Sequence, residues 1–220
     1  MKPSPIDDAA AAPSASRLFF PVVWELGIAA MFLITWVWPD TFGERMVHKL
    51  TFLMLLEFLV VHSTGFFAAI SSKDDTRLRR GLMFSGLLAF YLMMAGAFSA
   101  MYGGPWPLFG FLLVALPRIP GIVLRPPDDD TQFWMMANWA GMTALFLLGA
   151  FATLVYDVPP LGVTPEVIAA QEFGIGGEWP EQPYRVMAFG ALYFTGLALL
   201  NLLMELPGWL RGRRAQGAAR

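Results

Sequence analysis

The stretch LTFLMLLEFLVVHSTGFFAAIS, residues 50–71, decides the fold. Its apolar residues show neither strand alternation nor a single helical stripe, and it is long enough to cross a bilayer core, which needs about 20 residues of helix. Within it stand one carboxylate, Glu57, and one imidazole, His62. In lipid an unsatisfied backbone group costs several kcal/mol, so a run of this length reads as a transmembrane helix.

The same reading extends outward to five further runs, giving expected spans at 18–38, 50–71, 81–102, 106–124, 131–156 and 184–205. Residues 1–17, rich in Ala, Pro and Ser, read as a disordered tail. They do not form a secretory signal, because the small residues precede the apolar run instead of following it, and 18–38 is long enough to be retained as the first span. Residues 18–206 form one six-helix transmembrane domain, with no internal repeat, and 207–220 form a basic tail. The expected fold class is therefore all-α, a polytopic membrane helical bundle with about six transmembrane helices.

Composition agrees. The 220 residues are 56% hydrophobic and 15% charged, far from the quarter or so of charged residues in soluble domains. Fifteen Lys and Arg stand against 17 Asp and Glu, which leaves no basic surface for nucleic acid. The absence of cysteine excludes disulfides, thiolate metal sites and cysteine nucleophiles. No HExxH, GxSxG, P-loop or nucleotide-binding glycine pattern occurs, so hydrolase and NTPase chemistry have no foothold.

Orientation follows from loop charge, since Lys and Arg gather on the cytoplasmic side. With both termini cytoplasmic, only Arg45, Lys49 and Arg185 face outward, and the other twelve of the 15 face inward. The longest connection, 157–183, carries Asp157, Glu166, Glu172, Glu178 and Glu181 and no Lys or Arg, as an external loop should. Thr164-Pro165-Glu166 has the form of an N-cap, a proline at the first helical position and an acidic first turn, which predicts a short helix to about Glu172. The expected location is a plasma membrane, the inner membrane of a bacterium. The fourth span is interrupted by Pro117 and Pro120 around Arg118, and is read as a crossing helix broken at Pro117 because a re-entrant hairpin would reverse the parity.

Ionisable groups inside a membrane are costly and mark candidate sites. Glu57, His62, Glu25 and Asn138 are the candidates for an ion- or proton-binding site. Arg118 is a candidate for a structural role, snorkelling to headgroups or pairing with Glu25. Glu57 and His62 lie five residues apart, ~140° around a helix, so they do not share a face and each needs partners from other helices. Partners available on other spans are Glu25, Ser85, Tyr91, Ser99, Asn138, Tyr193 and Asn201. The plain alternative is that Glu57 and His62 hydrogen-bond neighbouring helices and fix packing.

His48 and His62 are 14 residues apart, the spacing with which one helix can hold two stacked haems, but no other histidine exists to supply opposing ligands. No cofactor or metal is assigned. The 13 methionines read as core fillers. Trp36, Trp38, Trp106, Trp134, Trp179 and Trp209 fall near span ends and read as an interfacial belt. Small residues four apart (Ala95 with Ser99 and Gly103, Gly96 with Ala100, Ala137 with Gly141, Ala191 with Thr195) predict close packing among the third, fifth and sixth spans.

The function expected is that of a small transporter, channel or ion-coupled module. The alternative is a non-catalytic accessory or scaffold subunit, and a haem-binding protein or intramembrane enzyme comes third. Expected partners are the lipid bilayer and a second copy or a membrane-complex subunit docking through 157–183.

Overall fold

A computed structural model describes residues 15–70, 77–101, 104–105, 107–109, 111, 129–173 and 177–218. They form an all-helical bundle with no strand. The elements are α1 (Ala15–Val37), α2 (Met46–Ile70), α3 (Arg77–Met101), α4 (Asp129–Val155), two short helices α5 (Pro165–Ala170) and α6 (Glu178–Glu181), and α7 (Pro183–Ala218). Among the described residues, five helices are long and apolar enough to cross a membrane, with apolar windows at Phe20–Val37, Met46–Ser63, Gly81–Ala100, Gln132–Val155 and Pro183–Met204. They coincide with five of the six expected spans. The fourth, 106–124, with Pro117, Pro120 and Arg118, falls almost wholly outside the described residues.

Helix directions follow from paired contacts. Along α2 and α4, Val61 meets Trp139 while Phe58 meets Phe146, so the two run antiparallel. Between α4 and α7, Gly149 packs on Phe189 and Gly141 on Leu200, again antiparallel. The ends of α1 and α4 and the starts of α2 and α7 therefore share one face of the bundle, where Arg45 and Trp36 meet the 157–173 segment. Past α3, Ser99 Oγ accepts the Leu108 N–H (3.1 Å) and Tyr91 stacks on Phe111, so the described residues there double back along α3.

Lipid tails are as apolar as leucine, so close fit and interhelical polar bonds hold such a bundle together. The tightest approach joins α1 to α7. Phe32, fully buried, lies over Gly190, where a Cβ would fall 2.3 Å from the ring. The main core gathers α1, α2, α4 and α7, including Phe32, Met54, Phe146, Phe189, Tyr193 and Phe194, and a smaller cluster joins α2 to α3 and Phe111. The packed centre is thus α2 with α7, not the third, fifth and sixth spans together. Gly141 and Ala95 are used as expected of small residues, but a Cβ at Gly96 would meet nothing within 4 Å.

The acidic connection forms a cap on the shared face. Thr164 caps α5, accepting the Val167 N–H (3.5 Å), with Pro165 and Glu166 opening the helix. The helix stops at Ala170, two residues before the expected Glu172, which adopts φ +49° and turns the chain. The Thr164 hydroxyl and the Glu166 backbone N–H hold the exposed Glu166 carboxyl below its ordinary pKa. At the far end of the cap the Arg185 guanidinium closes the C-terminus of α4, donating to the carbonyls of Thr153 (2.5 Å), Leu154 (3.1 Å) and Tyr156 (3.3 Å). A cation is favoured there because the last carbonyls of a helix lack internal partners and carry partial negative charge.

Candidate functional site

Glu57 lies near the middle of α2 and is 4% exposed. An ionised carboxylate stranded in that setting would cost far more than the bundle can recover, so it needs a donor. Tyr193 of α7, 1% exposed, supplies one: its hydroxyl donates to Glu57 Oε1 at 2.8 Å. The phenol ring is held edge-on by Phe146 (5.5 Å) and Phe194 (5.1 Å) and tilted against Phe189 (6.0 Å). The result is a carboxyl–phenol pair inside an aromatic shell, bonding the two most enclosed helices at mid-span. Of the seven possible partners named from sequence, the fold delivers Tyr193 to Glu57.

His62 goes elsewhere. It lies on the outside of the bundle, its ring beside Phe58 (5.2 Å) and Phe66 (5.7 Å) one turn away on either side. The ~140° offset from Glu57 is realised as one group inward and one outward. Asn138, half-buried on α4, donates to Met142 Sδ (3.7 Å), and its Oδ1 makes no hydrogen bond. It stands beside Trp139, hence at the level of Val61 and Gly65 and about one to two turns from Glu57 toward the C-terminal end of α2. Glu25 is half-buried in the N-terminal half of α1. Glu57 and His62 thus lie on opposite sides of α2, Asn138 lies at a different level from Glu57, and Arg118 is outside the described residues. Among the described residues no three His, Asp or Glu side chains gather as a metal would require.

Trp139 was not singled out from sequence. Its Nε1–H donates to the Val61 carbonyl (3.1 Å), and its indole fills the space left by the missing side chain of Gly65, where a Cβ would fall 2.4 Å from the ring. The signal was present: unlike the belt tryptophans, Trp139 sits inside its span, where an indole N–H must find an acceptor.

A second polar cluster joins the cap to α2. Gln171, buried, accepts the His48 backbone N–H (3.1 Å) and donates to Val167 O (3.2 Å). Arg45 donates to the carbonyls of Gln171 (3.2 Å) and Glu172 (3.3 Å) and pairs with the Glu172 carboxylate at 3.9 Å. The His48 ring stands edge-on to Phe52 (4.9 Å) and Phe173 (5.0 Å), one from α2 and one from the cap. It braces an interface there. Trp36 Nε1–H donates to Pro159 O (2.9 Å), so this belt tryptophan also pins the cap to α1.

No family model matches the chain, and no solved structure matches it. Among curated proteins it is similar to the histidine protein kinase DivJ of Caulobacter vibrioides, with 30% identity over 158 residues, which covers 60% of this chain and 26% of that protein. The chain thus spans about a quarter of the length of the curated relative it matches.

Proposed function

We propose that the chain is a non-catalytic membrane module of a larger assembly, carrying changes at the outer face of the bilayer to a component on the inner side. The observation that supports this most is α7 itself. Its 36 residues, about 54 Å of helix, hold Arg185 in the outer cap, present Tyr193 to Glu57 at mid-span, and run on through the basic Arg211, Arg213 and Arg214. A displacement of the cap has one continuous element to act through, and the Glu57–Tyr193 bond sets how α7 sits against α2.

The likeness to part of a histidine protein kinase supports a kinase of that class as the component served, in the same chain or as a separate subunit, and a bacterial inner membrane as the location. The cap, which turns Leu161 and Glu172 to the outside, is the surface offered to an outer partner or a second copy. Transport is the second reading and rests on the buried Glu57. It is the weaker one, because His62 faces away from Glu57 and the two line no common path.

The absence of cysteine allows a direct test with a single spin label at Gln216→Cys in reconstituted protein. Arg45→Ala, which releases the cap from the start of α2, is expected to change the label's mobility at the inner end of α7. An unchanged spectrum would overturn the coupling. In sealed vesicles the protein is expected to pass no protons or monovalent cations above the empty-vesicle rate; a flux lost in Glu57→Gln would establish transport instead.

A further inference from the structure

Beneath the cap, beside the outer half of α2, lies a cavity of about 290 Å³ walled by Phe52 and Leu55 of α2 and by Phe173 and Trp179 of the cap, with Glu178 as the charged group on its lining. We infer that this cavity binds a small organic cation, an ammonium group carried on an apolar or aromatic body.

Three aromatic side chains in one small cavity attract a desolvated ammonium through the negative faces of their rings, and tryptophan does so best. They offer nothing to a hydrated inorganic ion, and no three acidic or histidine side chains gather there among the described residues. Glu178 supplies the opposite charge. It pairs with Arg185 at 3.6 Å, beyond hydrogen-bonding distance, while the Arg185 Nε–H is committed to Gln182 (2.7 Å) and Nη1 to the carbonyls ending α4. The carboxylate therefore keeps acceptor capacity for an ammonium.

The surroundings favour the same sign of charge. The connection 157–183 carries five carboxylates, and Arg45, Lys49 and Arg185 beside it offset three of them, so the net field still draws cations. The volume suits a body the size of a phenylethyl group, near the lower end of small-molecule sites. Because the walls come from both α2 and the cap, an occupant would clamp one to the other, and His48, edge-on to Phe52 and Phe173, already holds those two walls in register. Binding here stands independently of whether α7 transmits anything.

The test uses the full chain in nanodiscs of zwitterionic lipid, titrated calorimetrically with phenethylammonium and with 2-phenylethanol, its neutral counterpart. The ammonium is expected to bind saturably and about tenfold more tightly than the alcohol. Trp179→Leu should reduce that preference severalfold. Glu178→Gln, an exposed change that leaves the walls intact, should do the same with the alcohol's affinity unaltered. Equal affinities for the two probes, ammonium binding insensitive to both substitutions, or the absence of saturable binding would each overturn the inference.

Discussion

Helices α2 and α3 have the same length, 25 residues, and both carry a long apolar window, yet they occupy opposite places in the bundle. The α2 window is the less hydrophobic of the two, with mean hydropathy 1.4 against 1.7, and it is the enclosed one, 61% of its residues being buried against 11% for α3. In water the order would be reversed. In a bilayer hydrophobicity only admits a helix, and its neighbours are chosen by shape and by polar groups that find partners across the interface. α2 has both kinds of feature, the Glu57–Tyr193 bond to α7 and the Gly65–Trp139 fit to α4. Among its described contacts α3 shows a smaller apolar cluster with α2 and Phe111.

The largest expected effect tests the shape component. Gly65→Ala would place a methyl 2.4 Å from the Trp139 indole and displace it from the Val61 carbonyl, costing about 2–3 kcal/mol of bundle stability as overpacking does. Gly96→Ala on α3 meets open space and is expected to be neutral or stabilising by less than about 1 kcal/mol, since alanine favours helix over glycine. Unfolding of the two variants in mixed bicelle–SDS titrations compares them directly. Equal destabilisation would remove the distinction between the helices.

What the sequence made legible divides along the same line. Apolar runs revealed the existence and placement of five helices, because lipid imposes a length and a solvent on each. Helix ends were less legible: α2 begins at Met46 instead of Leu50, and α7 continues to Ala218 instead of stopping near Glu205. A hydropathy boundary marks where lipid ends, whereas a helix can continue into water. The separation of Glu57 and His62 around α2 was readable from 3.6 residues per turn. Which of them faced inward was not, since that depends on where Tyr193 and Phe146 arrive from distant parts of the chain. The cap's hold on α2 through Gln171 and Arg45 was likewise invisible, because both residues bind backbone atoms, which leave no trace in side-chain pattern.

A smaller effect tests the polar component. Tyr193→Phe removes the hydroxyl that donates to Glu57, and about 1 kcal/mol should be lost, within the range measured for hydrogen bonds between membrane helices. Combining it with Glu57→Gln in a double-mutant cycle isolates the pair: the double variant should be less destabilised than the two single effects added together. Strict additivity would mean that the pair does not couple α2 to α7, and the enclosure of α2 would then rest on shape alone.

The smallest effect is the sharpest test of what kind of polar group matters. Ser63 of α2 is buried, and Ser85 of α3 is exposed. If burial of a polar side chain were enough to hold a membrane helix in place, Ser63→Ala should cost clearly more than Ser85→Ala. The Ser63 hydroxyl, however, donates to Val60 O on its own helix at 2.8 Å. Its removal leaves a carbonyl still able to accept its regular backbone partner and breaks no bond between helices. Both substitutions are therefore expected to fall within about 0.5 kcal/mol of the parent protein, as changes without a cavity or an orphaned partner do. A Ser63→Ala cost comparable with that of Tyr193→Phe would shift the explanation from bonds that bridge helices to polar burial itself, and Thr51, buried on α2 and bonded to its own Val47 carbonyl at 2.9 Å, would then be expected to behave the same way.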